Sequence, residues 1–247
     1  MSDAHPAGEC GPLEIRIARK CFARTSGGHL EVLQDIALTL PRGEVAAFVG
    51  PSGCGKTTML RIIAGLDRDY EGTIARGFGG AVGMVFQEPR LLPWRTVEEN
   101  VRLVAPGASE AKLAALFDTL ELTPHRLHYP GQLSLGLARR ASLARAFAVE
   151  ASLLILDEPF VSLDDALAAR LRGELIKLID SRPVTTLLVT HDVDEAIGLA
   201  DRLFLLSASP ARIVAELPIG RRDAASAAAI RAEVARVTQS ARDRRVG

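Results

Sequence analysis

The stretch Glu44-Val45-Ala46-Ala47-Phe48-Val49-Gly50-Pro51-Ser52-Gly53-Cys54-Gly55-Lys56-Thr57-Thr58 decides how the rest of the chain is read. Its apolar run up to Val49 is a buried strand, because no polar residue alternates into it. Gly50, Gly53 and Gly55 then break the strand, and Met59, Leu60, Ile62 and Ile63 recur at helical spacing until Gly65. A strand, a glycine turn and a helix start make a cradle for a polyphosphate. Glycines let backbone N–H groups converge on the anion, and the helix N-terminus adds a partial positive charge. Lys56 supplies a point charge for the β- and γ-phosphates of ATP, and Thr57 a hydroxyl for Mg2+, while Pro51, Ser52, Cys54 and Thr58 complete the loop. The plainer alternative is a glycine-rich strand-to-helix turn without a ligand, and a strand and a helix standing on the two sides where phosphate binding needs them favour the cradle.

Working outward, short apolar runs alternate with helical patterns, which predicts an α/β fold with a mainly parallel core sheet. Residues 13–22 and 31–40 alternate instead, as an antiparallel pair turning at Ser26-Gly27-Gly28. Residues 83–86 read as a strand, residues from 96 onward as a helical insertion with Leu113, Leu116, Phe117 and Leu120 on one face, and residues 137–149 as a helix. Leu153 to Leu156 is a further apolar strand, followed by a helix striped with Leu167, Leu171, Leu175 and Leu178. Strands at 185–190, 202–206 and 213–217 and an Ala-rich terminal helix at 224–245 complete the reading. The expected organisation is a flexible tail at 1–11 and one domain at 12–247 with a helical subdomain at about 90–150.

Composition narrows the function classes. The chain has 247 residues with 30 basic and 30 acidic side chains, so no net field gathers nucleic acid. Cys10, Cys21 and Cys54 form neither a CxxC pair nor a disulfide framework, which predicts a reducing cytoplasmic compartment. No apolar run reaches the ~18–20 residues that cross a bilayer, so membrane attachment is expected through a partner. Cys54 at a helix N-terminus is read either as a thiol of lowered pKa or as a small filler.

Asp157 and Glu158 end the strand of residues 153–156. That strand is expected beside the loop strand, with the Asp157 carboxylate reaching Mg2+ through water and Glu158 acting as general base toward an attacking water. An acidic pair capping the next helix is the alternative.

With these residues in place, the chain resembles the nucleotide-binding subunits of ATP-binding cassette (ABC) transporters over about residues 13–217. The resemblance rests on further motifs in order. It implies that Gln87 is a Mg2+ ligand and sensor of the partner interface, and that His191 of Thr190-His191-Asp192 contacts the γ-phosphate. Ser162-Leu163-Asp164 is similar to the D-loop, with a helix N-cap as the alternative, and Phe22 matches the aromatic that stacks on adenine. Leu133-Ser134-Leu135-Gly136-Leu137 occupies the signature position, usually Leu-Ser-Gly-Gly-Gln. Ser134 and Gly136 are retained and implied to meet the γ-phosphate of a partner chain. Leu135 and Leu137 depart, and if position 135 needs a positive φ or a close backbone approach, the leucine costs about 1–3 kcal/mol.

The resemblance implies a homodimer closing head to tail over two Mg-ATP, reopening on hydrolysis and driving an integral membrane permease from the inner face of the cell membrane. A solute-binding protein is expected in the full system. Residues 87–99, with Leu91, Leu92 and Trp94, are the expected docking surface, a simply buried segment being the alternative. Gln87-Glu88-Pro89-Arg90-Leu91-Leu92-Pro93-Trp94 is similar to nitrate, sulfonate and taurine importer subunits. The rival readings are a soluble P-loop ATPase and a phosphotransferase.

Overall fold

The computed structural model describes residues 11–25, 27–161, 163–181, 184–219 and 224–243. The expected tail up to residue 10, Ser26 of the first turn, Ser162 of the D-loop motif and Cys10 lie outside the described residues. The described residues fall into two compact units, those up to 79 together with those from 185 onward, and those between 80 and 184.

In the first unit, β1 (Leu13–Ala23) pairs antiparallel with β2 (His29–Leu40) and with β4 (Glu71–Arg76). Leu13, Ile15 and Ile17 alternate inward, as the sequence pattern requires. A register shift between Ile17 and Arg19 then breaks the alternation, and Lys20 takes the inward position that strict alternation would give to Arg19. The second sheet is built on β3 (Val45–Val49), which is buried throughout. It is parallel to β7 (Thr185–Thr190) on one side and to β8 (Arg202–Leu206) on the other, and β9 (Ile213–Pro218) closes the edge antiparallel to β8. Phe48 of β3 and Phe204 of β8 stack with ring centroids 5.2 Å apart. Helices α1 (Lys56–Ile63), α6 (Val193–Leu199) and α7 (Ala224–Asp243) belong to this unit.

Both sides of β3 are thus taken by β7 and β8. The strand ending at Asp157 is therefore not the direct neighbour of the loop strand, contrary to the sequence reading. An apolar run fixes that a strand is buried, not which strand it pairs with.

In the second unit, β5 (Ala81–Val85) and β6 (Ala151–Asp157) form a parallel pair. Helix α4 (Leu135–Ala148) packs on β5, α2 (Val97–Arg102) and α3 (Glu110–Thr119) pack on α4, and α5 (Asp165–Ser181) follows β6 in the chain. Leu113 and Phe117 carry the buried face of α3, and Leu167, Leu171 and Leu175 that of α5. The α2 start is closed by a reciprocal capping box in which the Thr96 side chain accepts from the Glu99 N–H and the Glu99 carboxylate accepts from the Thr96 N–H.

Candidate functional site

The glycine loop stands at the C-terminal end of β3, where parallel α/β sheets present ligand sites. Gly55 is the N-cap of α1 with φ 122°, and a Cβ there would lie 2.8 Å from Val32 Cγ1. Gly53 also has positive φ, 73°, so the turn is one that L side chains rarely adopt. No side-chain hydrogen bond caps α1, so its first turn supplies amides to the loop rather than to a capping residue. Lys56 is 6% exposed, and its ammonium donates to the carbonyls of Gly50 (2.8 Å) and Pro51 (2.9 Å). The cation is held inside the loop by carbonyl oxygens, contacts it can exchange for phosphate oxygens.

These residues fit a polyphosphate, because left-handed glycines, an uncapped helix start and a buried ammonium converge in one turn. Thr57, exposed in the first turn of α1, offers a hydroxyl for Mg2+, an ion that keeps several waters and takes its other ligands from substrate phosphates. Cys54 is buried, and burial pushes its thiol up from its ordinary value, against the opposing effect of Lys56. The lowered pKa considered from sequence is overturned, and the small-filler reading stands.

Val49 pairs with Thr190, so His191 leaves the sheet at the same edge as Gly50. The backbone is fixed on both sides of it. Thr190 Oγ1 bonds the buried Glu195 carboxylate and accepts from the Asp192 N–H at 3.0 Å. Asp192 in turn caps α6 through the N–H groups of Asp194 (2.8 Å) and Glu195 (3.3 Å). His191 itself is exposed. Phe22 is 42% exposed near the end of β1, which rules out a plain core role.

In the second unit, Val85 pairs with Leu156, so Gln87 and Glu158 follow from the same end of the β5/β6 pair. Asp157 is buried, while Glu158 is half-buried with φ 49°. A non-glycine residue in that region costs about 1–3 kcal/mol and is found where a side chain must be aimed. Gln87 is exposed. Asp164 caps α5, its Oδ1 accepting from the Leu167 N–H at 2.9 Å, so the helix-cap alternative holds for this residue.

The segment after Gln87 is neither wholly buried nor loose. Leu91 and Leu92 are half-buried, and Trp94 is 70% exposed. Two residues that the sequence reading passed over brace it. Fully buried Asn100 accepts from the Leu92 N–H (2.8 Å) and donates to the carbonyls of Leu92, Arg95 and Thr96. Arg145 of α4 donates to the carbonyls of Arg90 (2.8 Å) and Pro89 (3.1 Å), and burial lowers its pKa from the ordinary arginine value. Asn100→Ala is expected to lower unfolding free energy by about 2–3 kcal/mol, since it strands buried backbone groups. Urea denaturation reads this as a lower midpoint at unchanged slope.

Helix α4 begins at Leu135 rather than at 137, with Ser134 as N-cap accepting from the Leu137 N–H at 3.3 Å. Leu135 is thus in helical conformation, is absent from the positive-φ residues among those described, and is 57% exposed. The left-handed strain considered from sequence does not arise at Leu135. Gly136 lies in the first turn of the same helix.

The ABC transporter family profile matches residues 33–161. Curated relatives named aliphatic sulfonates import ATP-binding protein SsuB include one from Pseudomonas syringae pv. tomato, 43% identical over 84% of this chain and 88% of its own length. Another, from Burkholderia cenocepacia, is 40% identical over 95% and 90%, and one from Bacillus licheniformis is 41% identical over 84% of each. Among solved structures, the dimeric post-hydrolysis state of the ATP-binding cassette MJ0796 bound to ADP and Pi matches with TM-score 0.77. It is 27% identical and covers 84% of this chain and 99% of that one. These likenesses favour the transporter reading over a soluble phosphotransferase. A glycine loop at the end of a parallel strand, a histidine leaving the adjacent strand and relatives matched over most of their length agree that the chain belongs to the ABC transporter family, as an ATP-binding and ATP-hydrolysing subunit that uses Mg2+.

Proposed function

We propose that this subunit powers the import of an aliphatic sulfonate or a related small oxyanion through a separate permease, working as a head-to-tail homodimer at the inner face of the membrane. A solute-binding protein delivers the solute. The observation that carries the substrate class is the 40–43% identity to relatives named for aliphatic sulfonate import. No helix among the described residues is long and apolar enough to cross a membrane, so the translocation path belongs to the partner in this reading.

The roles follow residue by residue. The loop from Gly50 to Thr58, with Pro51, Ser52, Gly53, Cys54 and Gly55, wraps the phosphates, and Lys56 neutralises them. In this reading Thr57, Gln87 and Asp157 are the residues that would hold Mg2+, which would draw charge from the β- and γ-phosphates. Glu158 takes the proton of the attacking water and His191 steadies the γ-phosphate. Phe22 stacks on the base, and Ser134 and Gly136 reach the nucleotide of the partner chain. The exposed Trp94, on a segment braced by Asn100 and Arg145, meets the permease, and the bracing lets a push on that segment reach α4.

Uptake by vesicles that contain the chain, its permease and its solute-binding protein tests the proposal. ATP-dependent accumulation of a short alkanesulfonate is expected. If ATPase is stimulated and a different solute accumulates instead, the substrate class is wrong.

A further inference from the structure

Lys20 is a buried cation that none of the roles above uses. It is 2% exposed, and its ammonium donates to Asp67 Oδ1 (3.0 Å), to Asp69 Oδ2 (3.2 Å) and to the Asp69 carbonyl. Burial alone would lower its pKa, but the Asp67 and Asp69 contacts outweigh that and leave it above the ordinary lysine value, so the group is charged. The same ammonium lies over the Phe22 ring, 4.7 Å from its centroid. The ring is nonetheless 42% exposed, so the cation on one face leaves surface for a ligand.

Asp67 stands just beyond α1, in a turn whose Leu66 and Asp67 N–H groups bond the Arg61 carbonyl. Lys20 therefore ties the strand bearing Phe22 to the far end of the helix whose near end carries Lys56 and Thr57. The register shift in β1 brings Lys20 to this inward position.

We propose that Lys20 is a positioning residue for the nucleobase, holding one face of Phe22 and fixing that ring relative to the phosphate loop so that its other face receives a purine. The proposal rests on the reading that Phe22 stacks on the base. A cation on one side draws ring electron density toward itself, leaving the far face less electron-rich and better suited to an electron-rich purine.

The test separates base from phosphate, using equilibrium binding of Mg-ATP and of Mg-tripolyphosphate, which has no base. Lys20→Met is expected to weaken ATP about three- to tenfold, as for loss of one cation–π contact and its ring placement, while tripolyphosphate stays within about twofold. Lys20→Arg is expected to recover most of the ATP affinity. In a Phe22→Ala background, Lys20→Met is expected to change ATP affinity no further. Should Lys20→Met fail to fold, Lys20→Met with Asp67→Asn removes both partners of the buried pair and is read against the same split. An equal loss for both ligands, or an ATP effect that persists without Phe22, overturns the proposal and leaves Lys20 a structural brace. If Phe22→Ala alone leaves ATP affinity unchanged, the stacking reading itself is wrong, and the proposal falls with it.

Discussion

Lys56→Ala is expected to weaken Mg-ATP binding at least about a hundredfold, while the chain stays folded. The ammonium already sits inside the glycine loop on the Gly50 and Pro51 carbonyls, so it reaches phosphate oxygens by a short exchange of partners. Charge-assisted hydrogen bonds contribute about 1.5–3 kcal/mol each, and two of them exceed the ~2.8 kcal/mol of a hundredfold change. Alanine is a strong helix former, so α1 survives the change. Calorimetric titration reads the loss directly. Thermal unfolding checks it, because at a hundredfold excess over Kd the wild-type chain gains about 2.7 kcal/mol from ligand and the variant gains almost none. Unchanged affinity would show that phosphate is bound elsewhere.

The second large effect is expected at Glu158. Glu158→Gln should lower ATP turnover about 10²–10⁴-fold with nucleotide affinity preserved, since the amide keeps size and hydrogen bonding but cannot take a proton. The left-handed backbone at this residue, φ 49°, is as accessible to glutamine as to glutamate, so the substitution leaves the local geometry in place. Single-turnover measurements separate the chemical step from binding. Near-normal turnover would place the base at another residue.

Much of this was legible in the sequence, and the reasons differ by element. An apolar run before a glycine turn leaves no alternative to a buried strand, and Val45 to Val49 is buried at every position. The helix at Lys56 followed from residue spacing alone. Strand neighbours were not legible, because pairing β3 with β7 and β8 depends on how the crossovers pack. The helical pattern starts at about residue 137, whereas α4 starts at Leu135, because Ser134 three positions before Leu137 caps it. At Cys54 a helix N-terminus and burial oppose each other, and only the packed structure decides that burial wins. Leu91, Leu92 and Trp94 looked alike as apolar residues, yet Asn100 and Arg145 hold the backbone so that the leucines are half-buried and the tryptophan projects. Lys20 was invisible to pattern reading because a register shift moves it inward.

The departures from the usual signature read differently with the helix in view. Leu135 carries no left-handed strain, and α4 starts at the signature position, so its N-terminus sets a partial positive charge there even though Ser134 Oγ already takes the Leu137 N–H. In the proposed head-to-tail assembly, the exposed Leu135 flanks the residues that meet the partner chain's nucleotide.

That assembly is tested most directly by the solution mass of the Glu158→Gln chain, measured by light scattering with Mg-ATP and with Mg-ADP. A doubling of mass with Mg-ATP alone, abolished by adding Ser134→Arg, is the result expected of a site completed by a second chain. A chain that binds Mg-ATP with full affinity and keeps the monomer mass at all concentrations tested would contradict it.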